Sequence, residues 1–204
     1  MCKATIFFWL CGKTLCFLHS KGERSKGGGH TDILKRKRLA AAASKGDTKA
    51  FSLLYEEIYK KLYYCALANL RNSEDAADAV SDAVLDAFMH IGELKRASAF
   101  ESWVFTILHG KIVKKQREYA RAQELSRDAD PEASPTSEGG FTRCEILEEL
   151  SGLSEDQRIC ITLSSIAGYR SSEIAAITGM KPSTVRSHIS RARAILKKNK
   201  KEVT

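Results

Sequence analysis

The amino-acid sequence predicts an all-α fold: two small helical domains joined by a flexible linker, the C-terminal one a helix-turn-helix. Only three prolines occur in 204 residues, and helix-forming residues dominate the composition. Helical patterns of apolar residues fill residues 31–121 and again residues 143–204. Residues 122–142 between them hold two prolines, several serines and acids, and a Gly-Gly pair without a core pattern, which is typical of a linker.

The charge distribution supports the same division and points to a polyanionic partner. The formal net charge is +8. Residues 151–204 carry ten Lys and Arg against four Asp and Glu, whereas residues 121–150 carry three against eight. Residues 46–120 are nearly balanced, with ten against eleven. A basic C-terminal module of this kind indicates nucleic-acid binding.

The N-terminal tail, residues 1–30, does not fit the globular pattern. Residues 6–11 are apolar, as in the core of a signal peptide, but Gly12 and Lys13 interrupt the run and no clear cleavage site follows. The run is also too short to span a bilayer. Three interpretations stay open: an idle tail or a translation start placed too far upstream, a tail that touches a partner or a membrane, and a signal peptide.

The six cysteines form no C-x-x-C pair and no zinc-finger spacing, so no metal site is predicted. Cysteines and histidines do cluster in the first 30 residues, but their spacing is generic. Cys65 and Cys160 fall in apolar helical stretches, where we expect them to be small buried hydrophobic residues in a reducing cytoplasm.

The first domain is predicted to open with a helix that begins near Asp47. Its apolar residues recur at spacings of three and four, and the expected core residues are Phe51, Leu54, Tyr55, Ile58, Leu62 and Tyr63. Tyr59 and Tyr64 are expected to reach the surface. Asn72 with Ser73 should end this segment and cap the next helix, which is predicted from Glu74 to about Ile91.

That second helix carries an acidic row at spacings of three, four and four, formed by Asp75, Asp78, Asp82 and Asp86. Valines, alanines and Phe88 supply its other side. Like charges at i and i+4 cost a few tenths of a kcal/mol each, and the row is expected to have no lysine partner. It therefore favours a basic partner surface, with a merely solvated acidic face as the alternative.

A loop with Lys95, Arg96 and Ser98 leads into a third helix, which opens at Phe100. An apolar stripe on this helix, mostly core, is formed by Phe100, Trp103, Val104, Ile107 and Leu108. The rest of the helix is basic, and its cationic residues are His109, Lys111, Lys114, Lys115, Arg117 and Arg121. A basic helix flanked by aromatic residues predicts a surface for single-stranded DNA, with an ordinary solvated basic helix as the alternative.

The C-terminal domain is predicted to start with a short helix over residues 143–150. Ser154 and Gln157 then spell a capping box that opens the next helix. Ser171 or Ser172 is expected to cap a further short helix, which Gly179 ends. Pro182 fits the first position of the last helix, and the pair of helices reads as a helix-turn-helix.

The apolar residues of the last helix lie on one face, and its polar and cationic residues lie on another. Its apolar stripe is Val185, Ile189, Ala192 and Leu196. Off that stripe lie Ser183, Thr184, Arg186, Ser187, Ser190 and Arg191. Small polar and cationic groups at a helix N-terminus fit the major groove of DNA. A helical hairpin with a solvated basic face is the alternative.

The parts, taken in this order, resemble bacterial RNA polymerase sigma factors of the small, two-domain extracytoplasmic-function class over about residues 46–198. Residues 50–59 (AFSLLYEEIY) are similar to the segment that opens the family's first domain. Residues 77–88 (ADAVSDAVLDAF) are similar to the segment that docks on the polymerase clamp helices, and residues 100–107 (FESWVFTI) to the one that melts the minus-10 promoter element. The minus-35-reading domain of the family is matched by residues 153–158 (LSEDQR), 172–175 (SEIA) and 184–187 (TVRS).

The resemblance implies three groups of site residues. The expected contacts to core polymerase are Asp75, Asp78, Ser81, Asp82 and Asp86. The expected minus-10 contacts, in a loop that would receive a flipped base and on the helix that follows it, are Lys95, Arg96, Ser98, Trp103, His109 and Lys111. The expected minus-35 contacts are Ser183, Thr184, Arg186, Ser187, His188, Arg191 and Arg193. The chain departs from the family pattern at Ser81, Gly110, Lys114 and Lys181.

The resemblance also implies a function: a cytoplasmic sigma factor that binds core RNA polymerase, recognises both promoter elements and promotes melting. It implies no catalysis, cofactor, metal or small-molecule substrate, and it adds an anti-sigma factor as a further candidate partner. Two alternatives stay open, a helix-turn-helix regulator that acts without polymerase and a membrane-associated signalling protein anchored by residues 4–18. The first domain argues against a simple regulator, which would need neither the acidic row nor the Trp103 helix.

Overall fold

The computed structural model describes residues 30–125 and 150–202, and this part of the chain is helical, without strands. Its helices are α1 (His30–Ala43), α2 (Thr48–Leu70), α3 (Ser73–His90), α4 (Phe100–Leu125), α5 (Glu155–Thr162), α6 (Ser171–Thr178) and α7 (Pro182–Glu202). Two 3₁₀ turns, Ile91–Glu93 and Ala97–Ala99, join α3 to α4, and a π-helical turn, Leu163–Ala167, extends α5. The all-α prediction is confirmed. None of the described helices is both long and apolar enough to cross a bilayer.

Helix α2 begins and ends where local chemistry places its caps. The Asp47 carboxylate accepts the backbone N–H groups of Lys49 and Ala50, and Arg71 ends the helix in the left-handed conformation. All six apolar residues predicted as core in α2 are buried. Tyr64 is exposed and Tyr59 half-buried, as expected.

Helices α2, α3 and α4 pack against one another as a bundle. Asn72 caps α3 as predicted, and its side chain accepts the N–H groups of Glu74 and Asp75. Small buried residues on the inner face of α3 let the three helices approach closely: Ala76, Ala79, Val80, Ala83, Val84 and Ala87. The Phe51 ring meets Phe88 and Phe100 edge to face, at centroid distances of 5.1 and 5.9 Å.

Helix α1 was not predicted as a separate helix. Its residues 35–38 are exposed, as expected for a solvated basic run, while Ala40 and Ala43 are buried. Arg36 Nε donates to Glu57 of α2 at 2.6 Å. The N-terminal tail ahead of it and the predicted helix over residues 143–149 lie outside the described residues.

The C-terminal helices confirm three of the four predicted local signals, and one of these is Pro182 as the first residue of α7. Ser154 and Gln157 form the capping box of α5, and Gly179 ends α6 with φ 76°. The prediction of a serine cap on α6 is wrong. Arg170 is the N-cap residue, and its backbone N–H donates to the Glu173 carboxylate at 2.8 Å, which leaves Ser171 as the first helical residue.

Candidate nucleic-acid interface

Helix α7 presents a polar, cationic face to the outside. Val185, Ile189 and Ala192 are buried against α5 and α6. Ser183, Thr184, Arg186, Ser187, Arg191 and Arg193, all predicted for minus-35 contact, are exposed. Among the described residues, none of these three arginines forms an ion pair with a carboxylate. The face therefore offers unneutralised guanidinium groups and small hydroxyls to a partner.

One predicted contact on α7 is placed differently. His188 is half-buried, and its Nδ1 atom is inaccessible and without a hydrogen-bond partner. The helical period explains this, because position 188 lies beside the buried stripe of Val185, Ile189 and Ala192. Any contact from His188 must therefore come from the other edge of its ring.

A cleft of about 430 Å³ runs along one flank of α7, between it and the start of α6. Its cationic lining is Arg170, Arg186 and Arg193. The other lining residues are Ser164, Tyr169, Ser171, Ile189 and Ser190. Guanidinium groups and hydroxyls beside a helix N-terminus are suited to a phosphate oxygen. Sequence reasoning missed the residues of the cleft that precede α7, because they come from separate elements and follow no common period.

The acidic row on α3 divides into two kinds of residue. Asp78, Ser81 and Asp82 are exposed in the middle of the helix. Asp75 and Asp86 are instead paired with α4: Lys115 Nζ lies 2.6 Å from Asp75 Oδ1, and Lys111 Nζ lies 2.6 Å from Asp86 Oδ2. The prediction that the row lacks lysine partners is therefore wrong, since the partners come from another helix.

Asp75 has a second hydrogen-bond donor besides Lys115. The Tyr119 hydroxyl donates to the same carboxylate. The hydrogen bonds from Lys115 and Tyr119 hold the pKa of Asp75 below its usual value, and Asp75 in turn raises the pKa of Lys115. This cluster stabilises the contact between α3 and α4 and leaves less charge for a partner molecule.

The cationic surface of α4 is accordingly smaller than its sequence implies. Lys111 and Lys115 face α3, and Lys114 lies 3.9 Å from Glu118 one turn further along. Arg117 and Arg121 are exposed. Lys111, which was predicted to contact the minus-10 element, is therefore already paired with an anionic side chain.

The loop between α3 and α4 is open to solvent. Lys95, Arg96 and Ser98 are exposed between the two 3₁₀ turns. Trp103, in the first turn of α4, is half-buried, so part of its ring remains available for stacking on a base. His109, two turns later, is also half-buried, and burial lowers its pKa, although the nearby Asp156 of α5 opposes this shift.

Two exposed apolar side chains next to the acidic row were not singled out from the sequence. Leu85 and Met89 are 38% and 49% exposed and lie one helical turn apart on α3. They extend the surface of Asp78 and Asp82 toward the C-terminal end of the helix. A signal was present, since these residues follow Ser81 at spacings of four on a face opposite the alanines.

Comparison with protein-family models gives two matches, one over the bundle of α2, α3 and α4 and one over the C-terminal helices. The model for sigma-70 region 2 matches residues 54–122. The model for sigma-70 region 4 matches residues 145–196.

Curated relatives give the same result over most of the chain. The chain is similar to the ECF RNA polymerase sigma factor SigM of Mycobacterium tuberculosis, with 31% identity over 160 residues, 78% of this chain and 81% of that protein. It is also similar to the ECF RNA polymerase sigma-E factor of Escherichia coli K12, with 32% identity over 174 residues, 76% of this chain and 88% of that protein.

Two solved structures share the fold. The sigma factor RpoE in complex with the anti-sigma factor NepR, from Bartonella quintana, matches with 27% identity and a TM-score of 0.64, over 74% of this chain and 96% of that one. CnrH, in complex with the cytosolic domain of CnrY, matches with 24% identity and a TM-score of 0.65, over 83% of this chain and 99% of that one.

Proposed function

The chain belongs to the extracytoplasmic-function class of sigma-70 factors, and from this premise we propose which of its surfaces serve each step of promoter recognition. It acts as a sigma factor: it binds core RNA polymerase and recognises promoter DNA for the initiation of transcription. The observation that carries this conclusion is the presence of both family regions, in the family's order, on one chain. A helix-turn-helix regulator without polymerase is not favoured, because it would not account for the region 2 match.

The polymerase-binding surface is the exposed middle of α3. Asp78, Ser81 and Asp82 are free to meet a basic partner, and Leu85 with Met89 adds apolar area beside them. Complementary charge speeds and orients association, whereas buried apolar side chains supply most of the affinity. Asp75 and Asp86, which are paired with lysines, would position this surface rather than form it.

The minus-10 surface is the loop of Lys95, Arg96 and Ser98 together with Trp103. Cationic side chains beside an aromatic ring suit an unstacked single strand, because they combine phosphate attraction with base stacking. Lys111 contributes less than its sequence position implies, since Asp86 already neutralises it.

The minus-35 surface is the exposed face of α7, with the cleft behind it. Ser183, Thr184, Arg186 and Ser187 lie in the first turns, where a recognition helix meets base edges. Arg170 and Arg193, across the cleft, are placed to hold a backbone phosphate. Arg186 lies between these two groups of residues, so it can serve either purpose.

The remaining assignments concern partners and chemistry. We expect the chain to perform no catalysis of its own, since the polymerase supplies the chemistry, and to act in the cytoplasm, where promoter DNA lies. An anti-sigma factor is an expected partner, because the similar RpoE structure holds one.

A charge-reversal experiment tests the polymerase surface. Asp78→Lys combined with Asp82→Lys should abolish capture of core RNA polymerase in a pull-down with the full chain. Glu118→Lys combined with Glu124→Lys, the same charge change on α4, is the matched control and should bind normally. Surface substitutions of this kind usually change stability by less than about 0.5 kcal/mol, and circular dichroism verifies that both variants fold. Equal capture by both variants would refute the assignment.

A further inference from the structure

Helix α1 carries four consecutive cations to which promoter and polymerase binding assign no role. We call Lys35, Arg36, Lys37 and Arg38 the α1 cluster, and all four side chains are exposed. The cluster precedes both family matches, the first of which begins at residue 54. The surfaces proposed for polymerase and for DNA include none of its residues. The cluster therefore needs an explanation of its own.

One member of the α1 cluster is paired with the neighbouring helix. Arg36 Nε donates to Glu57 of α2 at 2.6 Å, and this ion pair ties α1 to α2. Successive residues of an α-helix point about 100° apart, so the other three members point away from that pair. Lys35, Lys37 and Arg38 form no ion pair with any carboxylate among the described residues. They place three positive charges on the solvent side of α1.

The position of the α1 cluster does little for the stability of its own helix. Cations are favourable near the C-terminal end of a helix, where the dipole is negative. The last turn of α1 holds no basic residue and ends at the buried Ala43. Lys37 and Arg38 also have no acidic residue three or four positions away with which to pair along α1. These charges are instead placed to meet an external anion.

The sequence ahead of α1 supplies a second, independent feature. Residues 4–18 (ATIFFWLCGKTLCFL) hold eleven apolar residues and one charged residue, Lys13. Its aromatic residues are Phe7, Phe8, Trp9 and Phe17. This apolar run is too short to span a bilayer, but aliphatic residues together with tryptophan and phenylalanine favour the boundary between headgroups and acyl chains.

The apolar run and the α1 cluster together favour a lipid surface over nucleic acid. A single weak apolar anchor binds a membrane only reversibly, and a basic patch beside it adds attraction to anionic headgroups. Residues 1–45 contain ten Lys and Arg against two Asp and Glu. A DNA duplex would attract the same charges, but its grooves and phosphates give no place to an aliphatic and aromatic run. An acidic membrane has a place for both.

The spacing allows both features to reach one surface. Residues 19–29 (HSKGERSKGGG) separate the apolar run from α1. A chain of this length reaches at most about 36 Å, and the first cation of the cluster lies only about 8 Å along α1 from His30. Once the apolar run is inserted, contact between the cluster and the same headgroups is an intramolecular step, so each contact strengthens the other.

We propose that this protein binds anionic membrane surfaces through its N-terminal part. Residues 4–18 insert at the headgroup boundary, and the α1 cluster holds the acidic headgroups beside them. Arg36, bound to Glu57, fixes the orientation of the cluster on the bundle. This interaction goes beyond promoter recognition and does not rest on the sigma-factor function. It keeps part of the protein at a membrane and away from promoter DNA.

Vesicle binding of the full-length protein tests the proposal. Co-sedimentation is measured with phosphatidylcholine vesicles that contain about one third phosphatidylglycerol, and with vesicles of phosphatidylcholine alone. At about 0.15 M salt the anionic vesicles should bind at least about tenfold more tightly, and this preference should shrink as the salt concentration rises. Equal binding to both kinds of vesicle would overturn the proposal.

Two matched lysine pairs locate the charged contact. Lys35→Gln combined with Lys37→Gln should lower the affinity for anionic vesicles by about 25-fold, because each cation beside such a surface contributes roughly fivefold. Lys45→Gln combined with Lys49→Gln removes the same charge from two exposed lysines, in the turn after α1 and in the first turn of α2. This control should change the affinity by less than about twofold, since screening weakens charges that lie farther from the membrane. Equal losses in both variants would overturn the role of α1.

The apolar contact has a variant of its own. Phe7→Ser combined with Trp9→Ser should lower the affinity for anionic vesicles by about tenfold or more, because large apolar side chains no longer leave water. An unchanged affinity would show that charge alone attracts the protein, and would overturn insertion of the apolar run.

A duplex without promoter elements tests the competing partner. If the variant with Lys35→Gln and Lys37→Gln loses duplex binding but keeps vesicle binding, the α1 cluster serves nucleic acid and the proposal is wrong. Circular dichroism verifies that every variant folds. Capture of core RNA polymerase, measured without vesicles, should be the same in all variants, so a failure of the sigma-factor function is seen separately from a failure of membrane binding.

Discussion

Helices α4 and α7 both carry many cationic residues, but their tertiary surroundings give these charges different uses. On α4, Lys111 and Lys115 are within 2.6 Å of carboxylates on α3, and they stabilise the bundle. On α7, Arg186, Arg191 and Arg193 have no carboxylate partner among the described residues. Similar local charge therefore leads to internal ion pairs in one helix and to an exposed cationic surface in the other.

The comparison shows why a count of basic residues is a weak guide to nucleic-acid contact. A lysine that already neutralises a carboxylate adds little to the attraction of phosphate, because its charge is balanced at short range. An arginine without such a partner keeps its full contribution. The sequence patterns of α4 and α7 do not separate these two cases, because the partner carboxylates lie 40 positions away for Lys115 and 25 for Lys111.

The largest effect is expected at Arg186. If this side chain reads a base edge, Arg186→Ala should relax sequence preference within the minus-35 element by about 1–3 kcal/mol. The measurement is binding of the full chain to a panel of duplexes with single-base changes in that element. A loss equal for all sequences would instead assign Arg186 to the phosphate cleft that it also lines.

Arg193→Ala sharpens the same comparison. Arg193 lies two turns further along α7 than Arg186. Its replacement by alanine should therefore weaken binding to every duplex alike and make the logarithmic salt slope shallower by about one. The matched test on the other helix is Lys111→Ala, which should leave the salt slope nearly unchanged because Asp86 already balances that charge. Slopes that change equally in both variants would contradict the comparison.

The ion pair at Asp75 is expected to matter for stability instead. Asp75→Asn should lower the free energy of unfolding by about 1 kcal/mol, since the pair is only partly exposed and Tyr119 shares it. Urea unfolding of the full chain measures this, with Asp82→Asn as the exposed control on the same helix. An equal decrease in the free energy of unfolding of both variants would show that the ion pair between Asp75 and α4 adds no stability.

The same pair predicts a pH dependence with a definite sign. Because the folded-state pKa of Asp75 is lowered, its contribution is fully present above its unfolded value of about 3.9 and is lost as the pH falls through the folded value. The stability difference between wild type and Asp75→Asn should therefore shrink below about pH 4. A difference that stays constant down to pH 3 would contradict this account.

The smallest effect is expected at His109 of α4, which lies near Asp156 of α5. Burial lowers the pKa of this imidazole, and Asp156 opposes that shift. Because the folded-state pKa is lowered, the folded protein loses stability as the pH falls below the free histidine value of about 6.5. The free energy of unfolding should decrease slightly between pH 7.5 and 5.5, and His109→Gln should remove that part of the decrease.

The sequence by itself determined most of the helices and several of their ends. Asp47, Asn72, the Ser154 capping box and Gly179 act within three or four residues, so their effects can be read from local order. The apolar spacing likewise predicted the buried face of α2 and the stripe on α7, because burial follows the helical period. The order of these parts was enough for the family and hence for the function. The assignment of individual residues to DNA or to polymerase remains a prediction.

Only the tertiary structure decided which charged side chains are paired with another helix and which contacts form between the two regions. The partners of Asp75 and Asp86 lie on another helix, so no pattern within α3 reveals them. Arg170 became a helix cap where a serine was expected, because Glu173 reaches back to its backbone N–H. The contact of Arg158 with the end of α2 spans 89 positions, and its geometry depends on how two separately patterned helical units meet. Local propensity cannot encode such contacts, since they form only when packing brings distant residues within hydrogen-bond distance.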